Sequence, residues 1–267
     1  MKGAFLYYSA AGTTEWIVRS LSFKLNNIEL IPINSKTTDI TDLSEYDVLG
    51  FAYFADKLRP SRFFMDYIRK LSGVEGKPAF ILQTFGSTGG RAMLLAYDLL
   101  RDKGMNVFAS HALHTPESYP PMIKGGLAFA GHPTSRELAA YERFADELRC
   151  GFSTLLEGGT LPDRRPRIGF VASLMPRDLA KTFPKQFGPK EFRIREDRCK
   201  RCGICISGCP VEAIRIDPVP IIDTSICQEC WSCYNRCSHG AISAAGLSGE
   251  YRYTGPSQTI RSYFKIR

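Results

Sequence analysis

Cys199-Lys200-Arg201-Cys202-Gly203-Ile204-Cys205-Ile206-Ser207-Gly208-Cys209-Pro210 and Cys227-Gln228-Glu229-Cys230-Trp231-Ser232-Cys233-Tyr234-Asn235-Arg236-Cys237 share one spacing, C-x2-C-x2-C-x3-C, and decide the fold of the last third of this chain. Three thiolates two residues apart wrap three corners of an iron–sulfur cubane within one tight loop. The fourth corner needs a ligand from elsewhere. Structural zinc would use two C-x2-C pairs. Two complete four-cysteine runs, Pro210 and an internal repeat exceed that need and favour iron–sulfur. The ninth cysteine, Cys150, stands alone and reads as a free thiol in or after a helix.

The repeat continues past the cysteines. Val211-Glu212-Ala213-Ile214 follows the first run, and His239-Gly240-Ala241-Ile242 follows the second. Over some 50 residues the pattern resembles the dicluster bacterial ferredoxin domain, departing from it at Ser238, where that family carries Pro. The resemblance implies crossed ligation, in which the fourth cysteine of each run serves the other cluster. Cluster one would take Cys199, Cys202, Cys205 and Cys237. Cluster two would take Cys227, Cys230, Cys233 and Cys209. Such a unit performs outer-sphere electron transfer. Trp231 and Tyr234 would shield a cluster or simply pack.

Outward from these runs, residues 1–155 alternate between strand-like and helix-like stretches. Strands are expected at Gly3–Tyr8, Ile28–Ile33, Asp47–Tyr53, Pro78–Thr84 and Met105–Ala112. Helices are expected at Glu15–Leu25, Ser61–Leu71 with Ser61 as N-cap, Thr88–Asp102 stopped by Gly104, and Thr134–Leu148. Five apolar strands interleaved with helices predict a doubly wound parallel sheet, which takes ligands beyond the carboxyl ends of its strands.

Three loops at those ends stand out. Phe5-Leu6-Tyr7-Tyr8-Ser9-Ala10-Ala11-Gly12-Thr13-Thr14-Glu15 runs from a strand through a hydroxyl- and Gly-bearing turn into a helix. The free N–H groups of such a turn attract phosphate. It resembles the flavodoxin phosphate loop, S/T-x-T-G-N-T. Ser9, Gly12 and Thr14 match, Ala11 replaces a Thr, and Thr13 replaces the Asn. The resemblance implies FMN, with the phosphate on Ser9, Ala10, Ala11, Gly12, Thr13 and Thr14. The ring would lie between the loop holding Tyr53, Phe54 and Ala55 and the loop holding Thr84, Phe85, Gly86, Ser87, Gly89 and Gly90. An aromatic such as Tyr53, Phe54 or Phe85 would stack on the ring, against the alternative of ordinary core packing. Pro116–Pro120, with Tyr119, would share the rim.

The expected architecture is therefore α/β: a flavodoxin-like five-stranded domain over 1–155, a basic connector over 156–190, a small α+β dicluster ferredoxin domain over 191–246, and a tail over 247–267. A helix is expected near Leu174–Lys181. The tail carries Tyr251, Tyr253, Tyr263 and Phe264 and is too aromatic to be a free polar tail. The whole chain resembles the flavodoxin–ferredoxin fusion proteins of anaerobic bacteria and archaea.

The formal net charge of +8 is uneven. The excess lies in the connector and the tail, while 1–155 and 191–246 are close to balanced. Two clusters of about −2 each would bring the holoprotein nearer neutrality. No nucleic-acid motif accompanies the basic segments, so they read as docking surface or solvated chain. No stretch approaches the roughly 18 apolar residues of a membrane span, and Met1–Ala10 is too short an apolar run for a signal peptide. Clustered cysteines without an export signal point to a reducing cytoplasm and to redox-protein partners, such as an external ferredoxin or oxidoreductase.

Three functions follow. The first is an electron relay between two [4Fe–4S] clusters and FMN that converts one- and two-electron traffic. The second is a flavin-dependent reductase of a small molecule seated near Tyr119, His114 or His132. The third is a ferredoxin carrying a flavin-free docking domain.

Overall fold

The computed structural model describes residues 1–26, 28–174 and 192–265. Its sheet is built from β1 (Gly3–Tyr7), β2 (Glu29–Pro32), β3 (Val48–Asp56), β5 (Pro78–Phe85) and β6 (Asn106–His114), all parallel, in the order β2-β1-β3-β5-β6. Among the five parallel strands this is the 2-1-3-4-5 order of the flavodoxin-like fold, with its switch point between β1 and β3. A short β4 (Arg59–Pro60) folds back antiparallel on the end of β3.

The strands are nearly continuous apolar runs because both faces of the sheet are covered. On one face, α2 (Arg62–Lys70) and α3 (Ala92–Asp102) pack with Phe51, Tyr53, Phe64 and Tyr67. On the other, α1 (Thr13–Lys24) and α5 (Ser135–Leu156) pack with Phe5, Phe80, Tyr141 and Phe144. Gly50 permits the edge-on contact of Phe5 and Phe80, whose ring centroids are 4.9 Å apart. A Cβ there would stand 2.3 Å from Phe80 and 2.6 Å from Phe5.

All five expected strands are present, with small shifts at their ends. Ser61 caps α2 by accepting from Phe64 N at 3.2 Å. Two helices differ from expectation. α3 starts at Ala92 rather than Thr88, because Gly90 at φ +52° holds the preceding residues in a turn. α5 runs on past Leu148 to Leu156, so Cys150 lies inside it and exposed. Gly151 within α5 meets Phe108 closely and does not stop the helix; the glycines at 158 and 159 follow its end. After a short α4 (Pro120–Lys124), a single helical turn α6 (Phe170–Leu174) is described; the helix expected near Leu174–Lys181 otherwise falls outside the described residues.

The second lobe pairs β7 (Arg193–Ile194) with β10 (Ile242–Ser243) and β8 (Ile214–Ile216) with β9 (Pro220–Ile222), both antiparallel. Two short helices, α7 (Ile204–Ser207) and α8 (Ser232–Arg236), follow the second cysteine of each run. Phe192, Trp231, Tyr234 and Leu247 form its core together with Cys205, Cys233 and Cys237. The tail then returns to the first lobe. α9 (Gln258–Tyr263) places Ile260 and Phe264 in the core beside Tyr141. The Trp16 indole donates to the Phe264 carbonyl at 2.7 Å. Tyr251 and Tyr263 remain exposed.

Candidate functional site

The cysteine repeat is a repeat of backbone conformation as well as of sequence. Arg201 and Glu229 hold φ of 52° and 53°, Gly203 and Trp231 hold 74° and 61°, and Glu212 and Gly240 hold 54° and 59°. Each pair occupies equivalent places in the two runs. The fourth cysteine of each run accepts a backbone N–H from four residues on: Ala213 N to Cys209 Sγ at 3.2 Å, and Ala241 N to Cys237 Sγ at 3.2 Å. Glu229 N likewise donates to Cys227 Sγ at 3.4 Å. N–H groups turned toward sulfur favour thiolates.

The electrostatics show which thiols stand together. The Cys230 thiol is pushed up to about 12, mainly by burial and in part by the neighbouring Cys209 and Cys227. Cys233 is raised by burial and then by Cys230, Cys227 and Cys209. The first-run Cys209 therefore sits with the three leading cysteines of the second run, the grouping that crossed ligation requires. In the first run Cys205 is raised by burial and by Cys199 and Cys202. Four thiols enclosed together stay protonated unless a cation neutralises them, and that donor set fits an iron–sulfur cluster. A further sign is the Tyr8 hydroxyl, which is buried against Cys230 with no hydrogen-bond partner among the described residues. A ligand thiolate at Cys230 would give this orphaned donor an acceptor.

The second run faces the sheet lobe at the carboxyl ends of β1 and β3. Lys57 Nζ meets Glu229 Oε2 at 2.7 Å, Asn235 Nδ2 donates to the Ser118 carbonyl at 2.8 Å, and Ser35 N donates to the Pro210 carbonyl at 2.7 Å. Tyr119 packs edge-on against Trp231, with centroids 5.4 Å apart. Asp56, at the same junction, is pushed up to about 6 by burial.

Beside this junction lies the expected phosphate loop. Gly12, at φ +90°, is the N-cap of α1 and supplies no side-chain cap. Among the described residues no acceptor meets the backbone N–H of Ala10, Ala11, Gly12, Thr13 or Thr14. A run of free N–H groups at a helix start is a nest for an anion. The hydroxyls are engaged within the protein. Ser9 Oγ accepts from Glu15 N at 3.2 Å, Thr14 Oγ1 meets Thr84 Oγ1 at 2.8 Å, and Thr13 Oγ1 meets the Tyr253 hydroxyl at 2.5 Å. The phosphate end thus fits FMN, and Tyr253, which the sequence did not place, joins it from the tail.

The ring end is closed. Between the loops lies a cavity of about 30 Å³ bounded by Ala55, Phe54, Phe85, Gly86 and Pro116. Ligand pockets run to about 300–1,000 Å³. Glu117 fills the gap: its carboxylate accepts from Ser87 N at 3.1 Å, Ser118 N at 2.8 Å and Tyr119 N at 3.0 Å. A flavin ring enters only if this carboxylate leaves. Tyr53 is a correction. Its side chain lies in the core, its hydroxyl donates to Gln83 Oε1 at 3.0 Å, and its ring tilts against Phe64. Successive strand residues face opposite ways, so Phe54 reaches the cavity and Tyr53 cannot. Gly89 and Gly90 shape their loop against Gln83 and Leu58 and do not line the cavity.

His114 and His132 share the Glu137 carboxylate. His132 Nδ1 stands 2.9 Å and His114 Nδ1 3.4 Å from it. The imidazoles stack at 3.6 Å with 28° between planes. One ligand atom from each of the three side chains lies within 4.8 Å of the others. No helix among the described residues is long and apolar enough to cross a membrane.

Residues 192–215 match the family described as a 4Fe-4S binding domain. No curated protein matches the chain. Among solved structures, a flavodoxin from the domain Archaea is 17% identical over 57% of this chain and 99% of its own, with a TM-score of 0.41. A flavoprotein in complex with FMN from Lactobacillus acidophilus is 16% identical over 42% and 92%, with a TM-score of 0.36. The two-electron reduced Megasphaera elsdenii flavodoxin is 16% identical over 41% and 84%, with a TM-score of 0.37. The fold itself rests on the strand order. The chain joins a flavodoxin-like α/β lobe to a 4Fe-4S ferredoxin segment, the arrangement of a flavodoxin–ferredoxin fusion.

Proposed function

We propose that this protein is an electron carrier in which two [4Fe–4S] clusters exchange electrons with an FMN held by the sheet lobe. One observation carries the reading: the loop holding Cys227, Cys230 and Cys233 is seated on the carboxyl-end rim, with Tyr8 running from the phosphate-loop strand to Cys230. Cys199, Cys202, Cys205 and Cys237 would hold cluster one, and Cys209 with the second-run trio would hold cluster two. The N–H groups of Ala10–Thr14 would bind the flavin phosphate. Phe54 and Phe85 would bracket the ring once Glu117 gives way. FMN accepts two electrons and releases them singly, whereas each cluster passes one.

A second reading has its own observation. The 30 Å³ cavity and the three N–H groups held by Glu117 suit a sheet lobe that carries no flavin and serves to dock the clusters. Anaerobic purification with iron, sulfide and flavin quantitation separates the two. About eight irons and one FMN per chain support the relay. About eight irons with no flavin, even after incubation with FMN, leave the second reading standing. Protein without iron sinks both.

A further inference from the structure

The two cysteine loops share a backbone but carry opposite charge. Between its first and second cysteines the second run has Gln228-Glu229, and the first run has Lys200-Arg201. Glu229 and Arg201 occupy equivalent places with φ of 53° and 52°. Glu229 spends its charge inside the molecule, on Lys57 of the sheet lobe at 2.7 Å. Lys200 and Arg201 are exposed, and neither has an ion-pair or hydrogen-bond partner among the described residues. Cys202, the counterpart of Cys230, is exposed too. Ile204, next along, is 40% exposed. The nearby Arg195 pairs with Asp197, whereas Arg198, held by the Ser248 carbonyl, keeps its positive charge and adds to that of the loop.

We infer that the Lys200–Arg201 loop is the docking surface for an external electron-transfer protein whose own redox face is rimmed by carboxylates. The internal contact between Glu229 and Lys57 is the template, with the signs exchanged. The second loop is already covered by a domain that offers a cation. The first, with the same shape, is uncovered among the described residues and offers two. An iron–sulfur cluster of about −2 behind the loop would repel an acidic partner, and the two cations at the surface offset that field where the partner arrives. Opposed charges across such a face raise association rates by about 10–10³-fold at low salt, an advantage that salt removes within a Debye length. The inference rests on the electron-carrier reading, and only on its clusters, not on the flavin.

The test is anaerobic stopped-flow electron transfer with the holoprotein. The probes are a purified acidic ferredoxin and a basic c-type cytochrome, each at low and high salt. Lys200→Glu combined with Arg201→Glu is the main variant; Glu229 shows that glutamate tolerates the φ at position 201. Lys200→Ala combined with Arg201→Ala is the second. The charge-reversed protein should react about tenfold or more slowly with the acidic ferredoxin at low salt and faster with the basic cytochrome. The salt dependence should reverse sign with iron content unchanged, and the rates are compared at equal driving force because the added negative charge lowers the cluster potential. The alanine variant should fall between. Wild-type rates and salt dependence in both variants, with full iron, overturn the inference and leave the carrier reading intact. Wild-type protein isolated without clusters overturns both.

Discussion

The sheet lobe buries one apolar layer on each face of β1, β3 and β5, with Phe51 and Phe64 on one side and Phe5, Phe80 and Phe144 on the other. The cysteine lobe has a much thinner core, in which Cys205, Cys233 and Cys237 stand among the buried residues. Its strands are two or three residues long, and its helices four or five. A lobe of that size cannot bury enough apolar surface to offset its chain entropy, so ligand bonds must contribute. One lobe folds around side chains; the other folds around what its thiols hold.

The largest expected effect breaks the second lobe alone. Cys233→Ala should lower iron from about eight to about four or fewer per chain. It should make the cysteine lobe sensitive to protease while the sheet lobe keeps its circular dichroism. Loss of both lobes together would show that they form one cooperative unit. Next, Phe80→Ala removes a fully buried ring from the other lobe. It should cost about 3–5 kcal/mol in denaturant unfolding of the sheet lobe, with the iron content unchanged. Iron loss in parallel would erase the distinction. The smallest effect falls where the lobes meet. Tyr253→Phe removes the hydroxyl beside Thr13 and should weaken FMN binding by about five- to tenfold, the worth of one hydrogen bond. Riboflavin, which lacks the phosphate, should bind both forms equally. Equal FMN affinity would leave Tyr253 as a seal for the tail.

Much of this was legible in the sequence because it is local. Strand runs, the Ser61 cap and the cysteine spacing are read within a dozen residues. The crossed grouping of Cys209 with Cys230 and Cys233 is different: the resemblance to dicluster ferredoxins implied it, and spacing alone does not. What the sequence did not disclose depends on distant partners. Glu117 is an ordinary acid until β5 and β6 bring Ser87 within reach of it. Tyr53 looked like a ring-stacking residue beside Phe54, and only the direction of strand alternation separates them. The aromatic tail signalled that it packs, not that Tyr253 would serve one lobe, Leu247 the other, and Phe264 the first again.

That return of the tail sets an order of events during synthesis. Tyr141 and Trp16 are made early, yet the residues that cover them, Ile260 and Phe264, come after both cysteine runs. On the ribosome the sheet lobe would appear before the cysteine lobe and be completed after it. A patch of its core would wait, uncovered, while the cysteines emerge and collect their metal. A protease cut between the lobes would likewise not part them, since Ile260 and Phe264, which follow both cysteine runs, are packed into the sheet lobe.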